Sequence, residues 1–201
     1  MRFVTMLQVH GAQIVSVDDC AHDVGAADAM VSCATNVALC VLTADCVPVL
    51  LVAPRSHVVA AVHAGWRGTA AGIVVRTLQH LQRVFGIEPD AVHAALGPAI
   101  GGCCYEVDMS VADELEQKWG TTRAAIRRGV AAGVPAAKAK LDLRRANAAQ
   151  LIEAGMSGAA IVEVGPCSRC AVTEYFSYRA GSGAAGDNTT GRQLSFIGWR
   201  I

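Results

Sequence analysis

The chain has 201 residues, of which 53% are hydrophobic and 17% charged, and its 17 basic residues balance 17 acidic ones. This length and composition favour one globular domain with a substantial core over a disordered chain. Because lysine and arginine are neither in excess nor in runs, nucleic acid and anionic membranes are not indicated as partners.

The longest apolar stretch runs over residues 29–54 and contains Asn36, Asp45 and Pro48. These interruptions fit two buried strands joined at a turn better than a membrane-spanning helix. Further along the chain, helical spacing and end signals predict helices at residues 69–85, 108–119 and 143–154, the last capped by Asp142. Short runs rich in β-branched residues predict buried strands at residues 37–43, 47–52, 58–62, 92–96 and 161–164.

Two glycine- and alanine-rich segments, residues 129–139 and 180–191, predict loops. The order of strands and helices is too mixed for a regular βαβ repeat. It predicts an α/β (α+β) layered fold, with a central β-sandwich or mixed sheet flanked by helices. We expect a single domain over residues 1–201.

The chain has eight cysteines, Cys20, Cys33, Cys40, Cys46, Cys103, Cys104, Cys167 and Cys170. A long, core-rich chain that begins without a secretory signal favours reduced thiols and a cytoplasmic location over a disulfide framework. Cys33 and Cys40 lie in apolar runs, so we expect both to be buried. Cys167 and Cys170 form a CxxC motif without a second CxxC to complete a zinc site, which favours a local structural role.

His10, Cys46 and His63 are the strongest candidates for a functional site. Each precedes a glycine or proline by one or two positions, as at the end of a strand, where side chains can converge outside a sheet. Two imidazoles and a thiolate form a good zinc site, and three protein ligands leave a position open; copper is the alternative metal.

Two further roles depend on the neighbours of these residues. Asp45 is the candidate to accept a hydrogen bond from a ligand imidazole, which would fix its tautomer. Alternatively, Cys46 could be a nucleophile with His63 as its base, although such a pair would not require His10.

The sequence resembles the YfiH-type laccase-domain family, also called multicopper polyphenol oxidase domain or purine nucleoside phosphorylase-like proteins. The resemblance covers nearly the whole chain and is carried by the runs Gln8-Val9-His10-Gly11, Ala27-Asp28-Ala29-Met30, Thr43-Ala44-Asp45-Cys46-Val47-Pro48, His63-Ala64-Gly65-Trp66-Arg67-Gly68, Leu96-Gly97-Pro98, Cys103-Cys104-Tyr105-Glu106-Val107, Leu141-Asp142-Leu143-Arg144-Arg145-Ala146-Asn147, Phe176-Ser177-Tyr178-Arg179 and Gly191-Arg192.

The resemblance implies zinc at His10, Cys46 and His63 and purine nucleoside chemistry. The implied reactions are phosphorolysis of adenosine, inosine, guanosine or methylthioadenosine, and deamination of adenosine. Other descriptions of the family imply a copper-dependent polyphenol oxidase (laccase) or a hydrolase that edits peptidoglycan precursors. The implied fold has a central β-sandwich, similar to certain cysteine-hydrolase toxins.

The two nucleoside reactions need different side chains. Zinc lowers the pKa of bound water to about 7, and deamination also needs a carboxylate to move a proton, for which Asp45 and Glu106 are the candidates. Phosphorolysis needs a phosphate-binding group, for which Arg67 is the best candidate, followed by Arg179 and Arg192. The expected partners are small molecules, a purine nucleoside and phosphate, and the expected assembly is a monomer or homodimer.

Two observations bear on the other possible functions. Laccases need several clustered coppers and many histidines, and this chain has six histidines, which counts against a laccase. Family members usually carry a further segment before the Gln-Val-His run, whereas this chain starts shortly before His10. We therefore expect part of the substrate pocket to be absent or replaced, which would favour a metal-stabilised binding module without turnover.

Overall fold

The computed structural model describes residues 1–17, 23–129, 133, 135–181 and 190–200. In this part of the chain the strands are β1 (Arg2–Leu7), β2 (Ile14–Ser16), β3 (Asp23–Ala26), β4 (Ala29–Ser32), β5 (Val37–Thr43), β6 (Val47–Ala53), β7 (Val58–Ala64), β8 (His93–Leu96), β9 (Glu106–Asp108), β10 (Ile126–Arg128), β11 (Lys138–Leu141), β12 (Ile161–Glu163) and β13 (Gln193–Gly198). The α-helices are α1 (Trp66–Ala70), α2 (Ile73–Phe85), α3 (Met109–Lys118), α4 (Leu143–Glu153) and α5 (Tyr178–Gly181).

Within the described residues the strands form three sheets. The largest has six strands in the order β12-β8-β6-β7-β4-β2, the second has four in the order β13-β5-β1-β3, and the third has three in the order β10-β11-β9. Both larger sheets mix parallel and antiparallel pairs; for example, β4 and β7 are antiparallel whereas β2 and β4 are parallel.

Strand β7 shows how the layers pack. All seven of its residues are buried, and successive side chains point to opposite faces of the sheet. Val59 and Ala61 belong to the apolar core shared with the four-stranded sheet, whereas Ala60 and Val62 belong to the core shared with helices α2 and α4. The sequence of a strand that is buried on both faces is a nearly continuous run of apolar residues. The architecture confirms the predicted layered α/β fold with several sheets flanked by helices.

The helix predicted over residues 69–85 is interrupted. Gly72 has φ +72°, in the left-handed region, and separates α1 from α2. The ring of Trp119 lies so close that a Cβ at Gly72 would be 2.4 Å from it, and the Trp119 indole N–H donates to the carbonyl of Ala70. The close approach of Trp119 therefore requires glycine here, and tertiary packing overrides the helical pattern.

Other expectations need correction or fall outside the described residues. Residues 29–54 form three strands, β4, β5 and β6, rather than two. Strand β12 lies at the edge of its sheet with Val162 exposed, so it is not a buried strand. Cys40 is buried as predicted, but Cys33 is exposed because it follows the end of β4. Cys20 and most of the loop predicted at residues 180–191 lie outside the described residues.

The segment predicted as a loop at residues 129–139 ends in β11, whose strand begins at Lys138. Helices α3 and α4 match their predictions closely, and the Asp142 side chain accepts from the backbone N–H of Arg145 at the start of α4, as a capping residue should. No helix among the described residues is long and apolar enough to span a membrane.

Candidate metal centre

The fold brings His10, Cys46 and His63 together from three separate segments. His10 follows β1, Cys46 immediately precedes β6, and His63 lies near the end of β7. Because Pro48 pairs with His63 across the β6–β7 ladder, Cys46 and His63 lie at the same end of these two strands. The potential ligand atoms of the three residues all lie within 4.8 Å of one another, and the two imidazole rings are 4.7 Å apart. The described residues thus contain the predicted group, which could hold a metal ion.

Asp28 orients this group. Its carboxylate is fully buried, and Oδ1 is 2.8 Å from Nδ1 of His63. The backbone N–H groups of His10 and Gly11 donate to the same carboxylate at 2.9 and 2.6 Å. Burial raises the pKa of Asp28, but these hydrogen bonds, above all that from His63, keep it below the ordinary value. The hydrogen bond fixes the His63 ring so that its other nitrogen faces the site.

The role assigned to Asp45 as acceptor from a ligand imidazole is therefore wrong, because Asp28 occupies that position. Asp28 belongs to the Ala27-Asp28-Ala29 run at the start of β4, where a charged residue stands among buried apolar ones. A buried carboxylate normally has a specific partner. That pattern was the available signal for Asp28 in the sequence.

Gly65 keeps the space beside Cys46 and His10 free of a side chain. A Cβ built at Gly65 would lie 3.1 Å from Sγ of Cys46 and 3.2 Å from Cδ2 of His10. Any larger residue would push into the gap between these two ligands. The donor set of two imidazoles and one thiol, together with this gap, fits a tetrahedral zinc ion with one position left open.

The surroundings shift the pKa values of His10 and Cys46 in opposite directions. Burial and the neighbouring His63 ring lower the pKa of His10, so its neutral form predominates at neutral pH. Burial, followed by the carboxylates of Asp45 and Asp28, raises the pKa of Cys46 to about 12. Without a cation nearby the Cys46 thiol stays protonated, which does not suit the alternative role of a free nucleophile.

A cavity of about 640 Å³ opens beside the candidate metal centre. Its lining includes seven of the residues proposed for the site from sequence, His10, Asp45, Cys46, His63, Arg67, Arg179 and Arg192. Arg67 and Arg192 also contribute to lowering the pKa of His10. The described part of the cavity wall thus combines a metal-ligand group with three guanidinium groups.

Asp45 holds one wall of the cavity in place. It adopts φ +86°, in the left-handed region. Its Oδ1 accepts from the Ser168 hydroxyl at 2.7 Å, and its Oδ2 accepts from the backbone N–H of Arg179, also at 2.7 Å. The carboxylate therefore fastens two distant segments next to Cys46. Strain of this kind is typical of functional sites.

Glu106 is the one proposed site residue that the structure places outside the described cavity lining. It lies in β9, and its backbone carbonyl accepts a hydrogen bond from the Arg179 guanidinium at 3.1 Å. The neighbouring Tyr105 does line the cavity, with the Arg179 guanidinium 5.0 Å from its ring centre. Burial raises the pKa of Tyr105 to about 12, so its phenol keeps its proton at neutral pH.

The family model described as "Multi-copper polyphenol oxidoreductase laccase" matches residues 1–200. The chain belongs to this family. The match confirms the resemblance seen in the sequence motifs, and it includes every residue of the candidate metal centre.

Proteins with similar sequences carry the names of enzymes that act on nucleosides. The chain is 38% identical to purine nucleoside phosphorylase YlmD of Geobacillus stearothermophilus, covering 99% of this chain and 73% of that protein. It is 40% identical to adenosine deaminase RL5 of an unknown prokaryotic organism, over 76% of this chain and 56% of that protein.

Solved structures of the family agree with the fold. The crystal structure of YlmD superposes with a TM-score of 0.87 at 37% identity, over 100% of this chain and 74% of that chain. The YfiH protein of Bacillus licheniformis gives a TM-score of 0.86 at 31% identity, over 98% of this chain and 74% of that chain.

Proposed function

We propose that this chain is a zinc-dependent purine nucleoside enzyme that cleaves nucleosides with phosphate and deaminates adenosine. One observation carries the proposal: the His10, Cys46 and His63 group faces a cavity that Arg67, Arg179 and Arg192 also line. The names of the relatives, purine nucleoside phosphorylase and adenosine deaminase, support the same chemistry. Its substrates would be small molecules, and we propose a cytoplasmic monomer or homodimer.

Zinc is the metal that the donor set favours, because imidazole and thiolate ligands in tetrahedral arrangement suit it. When bound, zinc would supply Lewis acidity at the position that the protein leaves open toward the cavity. The residues of the chain then have to bind the nucleoside, place phosphate and move protons.

Phosphorolysis joins a phosphate oxygen to C1′ of the ribose while the bond from C1′ to the purine nitrogen breaks. The products are ribose 1-phosphate and the free purine, which leaves with a proton. We assign phosphate binding to Arg67, with Arg179 and Arg192 in support, because guanidinium groups bind phosphate through paired hydrogen bonds. Arg67 lies beside the ring of Trp66, 4.6 Å from its centre, which fixes its direction at the cavity wall.

Deamination adds water to C6 of adenosine and releases ammonia to give inosine. A side chain must carry a proton to the departing nitrogen. Asp45 is the proposed carboxylate, because it lines the cavity next to Cys46. Glu106 is the weaker candidate, because its described position is outside the lining. Thr43 also lines the cavity and has a buried hydroxyl without a partner among the described residues, so it could bond to a polar substrate.

The test is to incubate the zinc-loaded protein with adenosine, with and without phosphate, and to separate the products by chromatography. We expect adenine that appears only with phosphate and inosine that appears in both samples. A Cys46→Ala variant should produce neither, whereas Cys33→Ser, a change at an exposed cysteine, should produce both. Unchanged adenosine with zinc bound at His10, Cys46 and His63 would contradict the proposal.

Copper-dependent oxidation is the second candidate, favoured by the description of the matching family model. Among the described residues, one group that could hold a metal contains histidine, and it has two of them. The described His57, His80 and His93 lie elsewhere: the His57 ring lies 5.0 Å from that of Trp199, and the His80 ring is hydrogen-bonded to the hydroxyl of Ser16. The copper-loaded protein should therefore oxidise phenols no faster than free copper; a much higher rate would favour this second function.

A further inference from the structure

A second group of potential metal ligands lies away from the histidines. Cys103, Cys104, Cys167 and Cys170 place their sulfur atoms within 4.8 Å of one another. Cys103 and Cys104 lie in a turn before β9, and the CxxC motif of Cys167 and Cys170 follows β12. The sequence interpretation gave the CxxC motif a local role because a second CxxC was missing; the adjacent pair Cys103 and Cys104 completes the set instead. We call these four residues the cysteine cluster.

The distances suit shared coordination. Sγ of Cys170 is 3.7 Å from Sγ of Cys103 and 3.4 Å from Sγ of Cys104. In a tetrahedral zinc site, Zn–S bonds of about 2.3 Å separate the sulfur atoms by about 3.8 Å. A disulfide would need about 2.05 Å between two sulfur atoms, which is shorter than both of these distances.

We propose that the cysteine cluster binds a structural zinc ion through all four thiolates. Binding replaces four S–H bonds with four Zn–S bonds and releases the four protons to solvent. Four protein ligands leave no open position, which is the arrangement of structural rather than catalytic zinc sites.

The charges around the cysteine cluster support a site of this kind. Four thiolates and one Zn²⁺ carry a net charge of −2, which must be balanced. Three basic side chains donate to carbonyl oxygens of the turn that holds Cys103 and Cys104: Arg127 to Gly102, Lys140 to Cys103 and Arg169 to Cys104. Their ammonium and guanidinium groups are thereby held at the turn that carries Cys103 and Cys104, where they would help to balance the negative centre.

Backbone amides point at the most buried sulfur. The N–H of Gly101 donates to Sγ of Cys167, with 3.2 Å between the two heavy atoms. The backbone N–H of Cys170 also donates to this sulfur. Amides directed at sulfur stabilise a thiolate and orient it toward a metal.

The proposed ion would fasten two segments that shape the cavity. Ile100 and Tyr105, on either side of the first cysteine pair, line the cavity. Ser168 lies inside the CxxC motif, and its hydroxyl donates to the carboxylate of Asp45. Its backbone N–H donates to the carbonyl oxygen of Ala99. A cross-link here would hold the wall of the nucleoside cavity without touching the substrate.

The test separates the two centres by counting zinc in a variant that lacks the first one. Purified under reducing conditions, His63→Ala should retain one zinc per chain, measured by inductively coupled plasma mass spectrometry. Adding Cys170→Ser should reduce this to none, whereas adding Cys33→Ser, at an exposed cysteine outside the cluster, should leave one. Zinc-free His63→Ala, or one zinc that survives Cys170→Ser, would overturn the proposal.

A second measurement guards against misfolding of Cys170→Ser. In His63→Ala, replacement of zinc by Co²⁺ should give the visible spectrum of tetrahedral cobalt bound by four sulfurs. Titration with a mercurial reagent should release the zinc as the cluster thiols react. A spectrum without sulfur-to-cobalt charge transfer, or a disulfide between Cys104 and Cys170 found by peptide mass spectrometry of the reduced preparation, would contradict four-thiolate binding.

Discussion

The His10, Cys46 and His63 centre and the cysteine cluster both collect potential metal ligands from distant segments, yet their surroundings differ. The first has three donors in the wall of a cavity of about 640 Å³. The second has four donors, and none of them is among the described residues that line that cavity. An open position next to a cavity suits chemistry, whereas a complete set of ligands suits a structural role. Donor number and access therefore distinguish the two centres better than the choice of metal does.

The charges near the two centres also differ. The carboxylates of Asp28 and Asp45 lie beside Cys46, and with burial they raise the pKa of its thiol to about 12. Basic side chains and backbone amides lie near the cysteine cluster, where the pKa of Cys167 is lowered to about 7 by hydrogen bonds and that of Cys104 is raised to about 12, chiefly by burial. The first centre thus has two carboxylates close to an incomplete set of metal ligands. The second balances the charge of a complete thiolate set.

Removing one ligand of the open centre should have the largest effect. His10→Ala should bring both nucleoside reactions down to the level of a control without enzyme and should remove one zinc per chain. His10 follows β1 and belongs to neither apolar core, so the fold should survive, as circular dichroism would check. Retention of turnover by His10→Ala would show that the open centre is not the reaction site.

Removing the main phosphate-binding group should separate the two reactions. Arg67→Ala should raise the KM for phosphate by about 10- to 100-fold, because hydrogen bonds to charged groups are worth about 1.5–3 kcal/mol. Deamination of adenosine should be nearly unchanged. Steady-state kinetics at varied phosphate would measure this, with the exposed Arg55 as matched control in Arg55→Ala. An unchanged KM for phosphate would remove Arg67 from the binding site.

Weakening the support of His63 should have an intermediate effect that is confined to the open centre. Asp28→Asn keeps the size of the side chain but removes the charge that holds Nδ1 of His63. We expect zinc affinity at the open centre to fall about 10- to 100-fold, as for other residues that orient metal ligands. Competition with a chelator would measure it, and Asp90→Asn, at an exposed aspartate, serves as the control. Equal affinity in the two variants would contradict the role of Asp28.

A change of one pH unit should have the smallest of these effects on zinc binding, and the effect should follow the Cys46 thiol. With its pKa raised to about 12 the thiol is protonated near neutrality, so binding releases its proton. His10, with a lowered pKa, is already neutral and adds no further proton. Affinity at the open centre should therefore rise about tenfold for each unit of increasing pH around neutrality. Calorimetry in buffers of different ionisation heat would count the protons; a count of zero would contradict this account.

The sequence predicted the parts of the molecule that local patterns encode. Helices α3 and α4 follow from apolar spacing and from the Asp142 cap, and the strands β5, β6 and β7 follow from apolar runs. The three ligands of the open centre were found because each stands in a distinctive run at a strand end. These features depend on neighbours in the chain, which is why the sequence alone reveals them.

Features that depend on tertiary contacts were missed. Asp28 directly precedes β4 and forms a hydrogen bond with His63 of β7, so its role follows from the pairing of these two strands. The cysteine cluster joins two pairs that are far apart in sequence, and the adjacent Cys103 and Cys104 do not form the expected CxxC motif. The break at Gly72 arises from Trp119, which packs onto it from beyond α3. For the cysteine cluster and Gly72 the deciding partner lies too far along the chain for a local pattern to indicate it; for Asp28 the local run marks an unusual carboxylate but does not identify His63 as its partner.

The most direct test of the difference between the two centres is X-ray diffraction at the zinc absorption edge on crystals of the zinc-loaded protein. The account predicts two anomalous peaks per chain. One should lie about 2.0–2.3 Å from ligand atoms of His10, Cys46 and His63, with its fourth position directed into the cavity. The other should lie among the sulfurs of the cysteine cluster. A fourth protein ligand closing the first centre, or no peak at the second, would contradict it.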